Sequence, residues 1–183
     1  MTDLRPVIFT AFANFEPGRS GHLRRLSDEA NGVRKALERV ESELCHLVER
    51  QGATLDIIAS VFRDGDFRNR IALFHFGGHS NSYGLLLERE RADPALVDGA
   101  GLARFLGRQQ ELKLVFLNGC SNEEQVKGLL EAGVPCVIAT SQAIDDGVAA
   151  EFAVHFYSEL ASRAPIEEAF KSAEDLTLSA HGG

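Results

Sequence analysis

Two side chains that can do chemistry together each follow glycine near the end of a short apolar segment. His79 follows two glycines after the apolar segment 71–76, and Cys120 follows a glycine shortly after the segment 114–117. A free thiol has a pKa near ~8.5, and a neighbouring imidazole raises the fraction that is thiolate. If the two side chains meet, they form a nucleophile and its general base.

Short apolar segments alternate along the chain with stretches of helical periodicity. The segments are rich in β-branched and aromatic residues and mostly lack polar alternation, which is typical of parallel strands covered on both faces. We predict strands at 7–9, 55–59, 71–76, 114–117 and 136–139, with a small extra strand at 83–87. We predict helices at 27–50, 99–107, 122–132 and 146–162, and a last helix starting at Pro165. This alternation indicates an α/β sandwich with a mainly parallel sheet.

These elements would position His79 and Cys120 at equivalent places on two strands. Open α/β sheets bind and react at the carboxyl ends of their strands. Adjacent parallel strands lie ~4.8 Å apart, so side chains at their ends can meet. Cys120 also directly precedes the predicted helix 122–132, whose N-terminal partial charge favours a thiolate. The backbone N–H groups there are suited to stabilise an oxyanion.

The sequence context of the other cysteines, and of His46 and His75, indicates structural roles. Cys136 lies inside an apolar strand, and Cys45 and His46 are neighbours on a predicted helix, so they point in different directions. His75 is flanked by phenylalanines within a strand, which predicts either a satisfied core histidine or a support for His79. No C-x-x-C pair or other metal-ligand spacing occurs, so we expect neither a metal nor a cofactor.

Composition and charge narrow the class of protein. The chain has 183 residues, with 44% hydrophobic and 25% charged side chains, which are ordinary values for a globular domain. Its net charge of −8 argues against direct nucleic-acid binding. An odd number of cysteines suits a reducing compartment. We see no signal peptide and no apolar run near the ~20 residues that span a bilayer, so we expect a cytoplasmic protein without membrane contact.

The order of these motifs resembles a known family. The segments 74–79 and 114–120 resemble the Gly-His and cysteine elements of CHAT-domain proteins, the bacterial branch of the caspase-like, clan CD cysteine peptidases. Residues 128–134 are similar to that family's helix and turn after the cysteine. Residues 137–146 and 169–173 are similar to its next strand and its closing helix. The resemblance spans nearly the whole chain.

The resemblance implies a caspase-like three-layer sandwich, with residues 1–183 forming one peptidase domain that belongs to, or acts with, a larger protein. It implies a cysteine endopeptidase in which His79 is the base and Cys120 the nucleophile. The backbone N–H groups of Ser80 and Cys120 would bind the oxyanion, although relatives often carry glycine at the position of Ser80. Its partners would be a protein substrate and a regulatory or sensor domain or chain.

The resemblance also places the substrate groove. The pocket for the residue before the cut would lie beside Cys120 and the following strand, and would involve Ser141, Gln142, Asp145 and Asp146. Acidic side chains there would favour Lys or Arg. Alternatively, Asp145 or Asp146 caps the next helix.

Segments near the base and after the first strand complete the expected groove. Gly78 beside the base, with Phe12, Asn14 and Phe15 after the first strand, would contact the substrate opposite that pocket. Two alternatives remain. One is a catalytically silent interaction or scaffold module with the same fold. The other is a flavodoxin-like ligand-binding domain, which would need a cofactor loop that residues 11–16 do not resemble.

Overall fold

A five-stranded sheet in which every neighbouring pair is parallel forms the centre of the molecule. We describe a computed structural model, which covers residues 3–14, 22–41, 43–81, 83–89, 92–119, 123–140 and 144–182. The sheet consists of β1 (Val7–Ala13), β2 (His46–Gln51), β3 (Ile71–Gly78), β7 (Leu114–Asn118) and β8 (Val137–Ala139). Their order across the sheet is β2-β1-β3-β7-β8. The predicted parallel sheet is confirmed.

A small antiparallel sheet follows β3 in the chain. It consists of β4 (Ser80–Asn81), β5 (Gly84–Arg89) and β6 (Ala92–Asp98), in that order. The described helices are α1 (Leu26–Leu37), α2 (Leu55–Arg63), α3 (Gly99–Gly107), α4 (Glu123–Glu131), α5 (Asp146–Ala161) and α6 (Ile166–His181).

The helices cover both faces of the central sheet, and each face has its own hydrophobic core. One core joins the sheet to α1, α5 and α6, and contains Val33, Phe156 and Ala169. The other joins it to α2, α3 and α4, and contains Phe62 and Leu106. Because both faces are covered, the central strands contain almost only buried residues. None of the helices in the described ranges is long and apolar enough to cross a membrane.

The prediction of a strand at 55–59 is wrong, because this segment begins helix α2. Thr54 caps this helix, since its hydroxyl accepts a hydrogen bond from the Ile57 N–H at 3.1 Å. The buried residues Ile58, Val61 and Phe62 fall at helical spacing. The short run of β-branched residues hid this period, which emerges only over the full nine residues.

The predicted helix 27–50 is also wrong in its second half. Helix α1 ends at Leu37, and β2 begins at His46 and pairs in parallel with β1. Cys45 and His46 are therefore not on a helix. Strand β2 is at the edge of the sheet, and its Leu47, with Val40 and Leu44 before it, continues the helical spacing of Val33 and Leu37.

Candidate functional site

The carboxyl ends of β3 and β7 lie side by side at one edge of the central sheet. Their register pairs Gly77 with Asn118. His79 is two residues beyond Gly77, and Cys120 is two residues beyond Asn118. The structure thus brings together the two strands that carry the predicted base and nucleophile. Cys120 itself lies outside the described residues.

Gly78 has a backbone conformation that other residues rarely adopt. Its φ is +154°, and a Cβ added there would lie 2.5 Å from the Ala13 carbonyl oxygen and 2.9 Å from the Phe76 ring. A glycine is needed at this turn for both reasons. The turn leads the chain out of β3 directly into His79.

Gly119 marks the close approach of the two strand ends. A Cβ added to Gly119 would lie 2.6 Å from the Gly78 carbonyl oxygen and would collide with the Ser80 hydroxyl. The Gly119 carbonyl also accepts a hydrogen bond from the Thr140 hydroxyl. The segment that leads into Cys120 is therefore packed directly against the segment that carries His79.

Ser80, the predicted oxyanion donor, begins the small antiparallel sheet. The Leu86 N–H donates to the His79 carbonyl at 2.9 Å, and Ser80 stands opposite Leu85. In an antiparallel ladder, the position next to such a bonded pair turns its N–H away from the partner strand. The backbone N–H of Ser80 therefore points away from β5.

A small cleft of about 30 Å³ lies beside His79. That volume suits about one water molecule, since a water needs roughly 10–15 Å³ or more of such space. The residues that line it come from four elements and the segments next to them: Leu23, Leu26, Glu29, Gly78, His79, Asn118, Gly119, Ile144, Asp146 and Ala149. Two carboxyl groups therefore line the cleft next to the predicted base.

The predicted pocket residues have different surroundings. Asp145 caps α5, because its carboxylate accepts a hydrogen bond from the Gly147 N–H at 2.8 Å, as the alternative interpretation expected. Asp146 lines the small cleft and accepts from the backbone N–H of Arg25 at 3.3 Å. Ser141 and Gln142 lie outside the described residues.

The residues predicted for the opposite wall lie at the end of β1. Phe12 is buried, and it packs against Leu26 and beneath Gly77. Asn14 exchanges two hydrogen bonds with the backbone of Leu23, at 2.8 and 2.9 Å. Asn14 thus joins the two ends of the connection between β1 and α1. Phe15 lies outside the described residues.

A buried polar network beneath the cleft was missed by the sequence analysis, apart from its histidine. The Glu29 carboxylate accepts from His75 Nε2 at 2.8 Å and from the Asn118 amide at 2.7 Å. His75 Nδ1 lies 3.0 Å from the Tyr157 hydroxyl. Glu29 falls on the same face of α1 as Leu26, Ala30 and Val33, a spacing that could have revealed its burial.

Burial changes the acidity of several groups. It raises the pKa of the Cys45 and Cys136 thiols above the ordinary value. Burial, together with the negative charge of Glu29, raises the pKa of Tyr157 well above its usual range, so this phenol stays protonated. Neither Cys45 nor Cys136 is therefore a good nucleophile at neutral pH.

Two other features bear on what the molecule can bind. A larger groove of about 1120 Å³ lies against α2, α3 and the β5–β6 hairpin, and is lined by neither His79 nor Gly119. Within the described part of the chain, no group of three or more histidine, cysteine or acidic side chains is arranged to hold a metal ion.

Comparison with known proteins identifies the family. The sequence profile of the CHAT domain matches residues 10–181. The chain belongs to the CHAT-domain family. Its structure is similar to the crystal structure of the Drosophila initiator caspase Dronc, with a TM-score of 0.62 and 9% sequence identity. The match covers 97% of this chain and 74% of the Dronc chain, and at that identity it shows a shared fold. No curated protein sequence matches this chain significantly.

The caspase-like α/β fold expected from the resemblance is thus confirmed. The CHAT-domain match and the similarity to Dronc agree on this fold.

Proposed function

We propose that this CHAT domain is a cysteine endopeptidase in which His79 is the general base and Cys120 the nucleophile. The observation that supports this most directly is the register of β3 and β7, which pairs Gly77 with Asn118 two residues before each catalytic position. The tight packing of Gly119 against Gly78 and Ser80 supports it further.

The proposed reaction follows from these positions. His79 takes the proton of Cys120, and the thiolate sulfur bonds to the substrate's carbonyl carbon. The backbone N–H groups of Ser80 and Cys120 bind the resulting oxyanion. The carbon–nitrogen bond then breaks as His79 gives its proton to the leaving amine. Water, deprotonated by His79, then bonds to the thioester carbon, the carbon–sulfur bond breaks as His79 returns the proton to the Cys120 sulfur, and the second product leaves as a carboxylic acid, without a cofactor.

We propose that the substrate lies across the edge formed by these strand ends. Asp146 at the cleft would favour a Lys or Arg before the cut. Ser141, Gln142 and Asp145 remain the further residues proposed for this pocket. Phe12, Asn14 and Gly78 form the other side: Phe12 supports it from beneath, and Asn14 holds the connection that borders it.

We further propose that a sensor domain or partner chain regulates cleavage, and that this domain acts within or beside a larger protein in the cytoplasm. A cleft of about 30 Å³ is too small for a lysine or arginine side chain, which supports a step that opens it before cleavage. A reducing cytoplasm would keep Cys120 as a thiol.

Cleavage of a peptide library derived from a digested bacterial proteome tests the proposal. New termini are identified by mass spectrometry after incubation with the wild-type chain. We expect cuts after basic residues, and we expect Cys120→Ala and His79→Ala to abolish them while the circular dichroism spectrum is unchanged. Removing either member of such a pair costs several orders of magnitude in rate.

Two matched variants control for the loss of any thiol or imidazole. Cys136→Ala removes a half-buried thiol of raised pKa, and His181→Ala removes an exposed imidazole that pairs with Glu151. Both should cut like the wild type. If Cys120→Ala still cuts at the wild-type rate, the proposed dyad is wrong. If the wild type cuts nothing and its Cys120 is no more reactive than Cys136, the scaffold alternative is favoured.

A further inference from the structure

Glu29 is a carboxyl group buried where three elements meet beneath the site. Its side chain is 4% exposed. Acidic side chains are almost never fully buried unless they are paired. Glu29 lies in the first turn of α1, where the helix dipole favours a negative charge. Its Oε1 atom accepts from His75 Nε2 at 2.8 Å and from Asn118 Nδ2 at 2.7 Å.

Asn118 connects this carboxyl group to the segment that leads to Cys120. It is the last residue of β7, and its amide donates both to Glu29 and to the Ala149 carbonyl of α5, at 3.0 Å. Its neighbour Gly119 is held by the Thr140 hydroxyl. The end of β7 is therefore fixed to α1, to α5 and to the segment after β8.

His75 and Tyr157 hold the Glu29 carboxylate in place. The His75 ring is fully buried, stacks on Tyr157, and lies with its centroid 4.6 Å from the Phe116 ring. Its second nitrogen lies 3.0 Å from the Tyr157 hydroxyl. An ionised carboxylate only accepts hydrogen bonds, so His75 Nε2 donates to it. The carboxylate is thus oriented by a ring that cannot turn without breaking its own contacts.

A buried polar network is by itself weak evidence for a stabilising role. Buried polar and ionic groups can often be replaced by apolar residues of similar volume with little loss of stability. Here the network is joined to the strand ends that form the site, and Glu29 and Asn118 also line the cleft beside His79. Its position points to a role in the placement of the reacting groups.

We propose that Glu29 is a positioning residue: through Asn118 it holds the end of β7, and with it the segment that leads to Cys120, against the strand end that carries His79. This inference rests on the proposed function. It predicts that the loss of the Glu29–Asn118 contact separates the thiol from the imidazole. The apparent pKa of Cys120 then rises towards the ~8.5 of an unpaired thiol.

The test measures alkylation of Cys120 by iodoacetamide between pH 5 and pH 10, with the modified peptide quantified by mass spectrometry. Glu29→Met removes the acceptor at similar volume, and Asn118→Ala removes the donor from the other side. Both should shift the midpoint of the pH profile upward. Both should also reduce the cleavage rate on the order of 10²-fold, the scale of a ~1 Å misplacement.

A conservative variant separates positioning from a structural role. Glu29→Gln keeps a carbonyl oxygen that can accept from Asn118, so it should restore the wild-type midpoint. Thr177→Val, a buried threonine on α6 whose hydroxyl makes no hydrogen bond, is the matched control and should change neither quantity. General destabilisation would lower the urea midpoint without moving the pH profile of the folded protein.

The failures of the two proposals are distinguishable. One outcome is that the midpoint of Cys120 alkylation is low in the wild type and rises in His79→Ala. If folded Glu29→Met and Asn118→Ala then keep the wild-type midpoint, the positioning role of Glu29 is wrong and the dyad stands. If Asn118→Ala alone folds, the same comparison on that variant decides. If His79→Ala leaves the wild-type profile unchanged, the dyad itself is wrong, and the positioning role fails with it.

Discussion

At the scale of single residues, small side chains set the geometry of the site. Gly78 leaves β3 with a φ of +154°, and Gly119 approaches Gly78 so closely that a Cβ has no room. Two polar side chains also shape the site: Asn118 holds the end of β7, and Asp146 borders the cleft. Glycines that sequence analysis treats as simple turn signals are here the residues that let the two strand ends meet.

Substituting Gly78 tests this geometry. Gly78→Ala should lower the free energy of unfolding by more than ~1 kcal/mol, because alanine is strained at a positive φ and its Cβ would meet the Ala13 carbonyl. Urea denaturation measures the change. Gly65→Ala is the matched control, since a Cβ there meets nothing within 4 Å. Equal stability of the two variants would contradict the account of the turn.

At the scale of elements, periodicity predicted most of the fold, and it failed where two elements share a pattern. The segment 99–107 forms the predicted helix α3, and 83–87 overlaps β5. The interpretation of 55–59 as a strand is wrong because a run of β-branched residues suggests a strand, while the cap Thr54 and the buried Val61 and Phe62 of α2 lie outside that window. The residues at the ends of a segment are therefore needed, as well as those at its centre, to tell a helix from a strand.

The helix cap gives a second stability prediction. Thr54→Ala should destabilise the protein by ~1 kcal/mol, because it leaves the Ile57 N–H without its side-chain acceptor. Ser60→Ala, an exposed serine on the same helix, should change stability by a few tenths of that at most. Thermal and urea unfolding compare the two. A smaller loss for Thr54→Ala than for Ser60→Ala would show that the cap does not hold α2.

The candidate site could be predicted only in part. The predictions for His79 and Cys120 rest on glycines and strand ends, which are local signals, and the structure pairs the ends of the two strands that precede them. The spacing of Glu29 on α1 could have revealed its burial but not its partners His75 and Asn118, which are 46 and 89 residues away in the chain. Long-range partners of this kind leave no spacing that a single sequence can reveal.

At the scale of the whole molecule, the two ends of the sheet have separate roles. At the amino ends of the strands, Asp3 pairs with Arg5 and Arg70, and the guanidinium groups of both bind the backbone, with Arg5 holding the Cys45 carbonyl before β2. Hydrogen bonds from Arg5 hold the pKa of Asp3 well below its usual range. The carboxyl ends carry the candidate site. The ion pairs of Asp3 therefore lie at the amino ends of the strands, and the proposed catalytic site lies at their carboxyl ends.

The proposed dyad accounts for how this fold would act on a peptide bond, and it predicts different reactivities for the three cysteines. Burial raises the pKa of Cys45 and Cys136, so their thiolates form only at higher pH and their alkylation should be slow at neutral pH. Cys120 should behave in the opposite way, because a neighbouring imidazole favours its thiolate. The contrast can be measured within one protein.

The pH dependence of iodoacetamide alkylation at each cysteine, in the wild type and in His79→Ala, tests the central claim most directly. We predict that Cys120 reacts fastest in the wild type, with a midpoint below the ~8.5 of a free thiol. In His79→Ala that midpoint should rise to about the free value, while Cys45 and Cys136 keep their slow profiles. An identical Cys120 profile in the two proteins, or a Cys120 no more reactive than Cys136, would contradict the dyad.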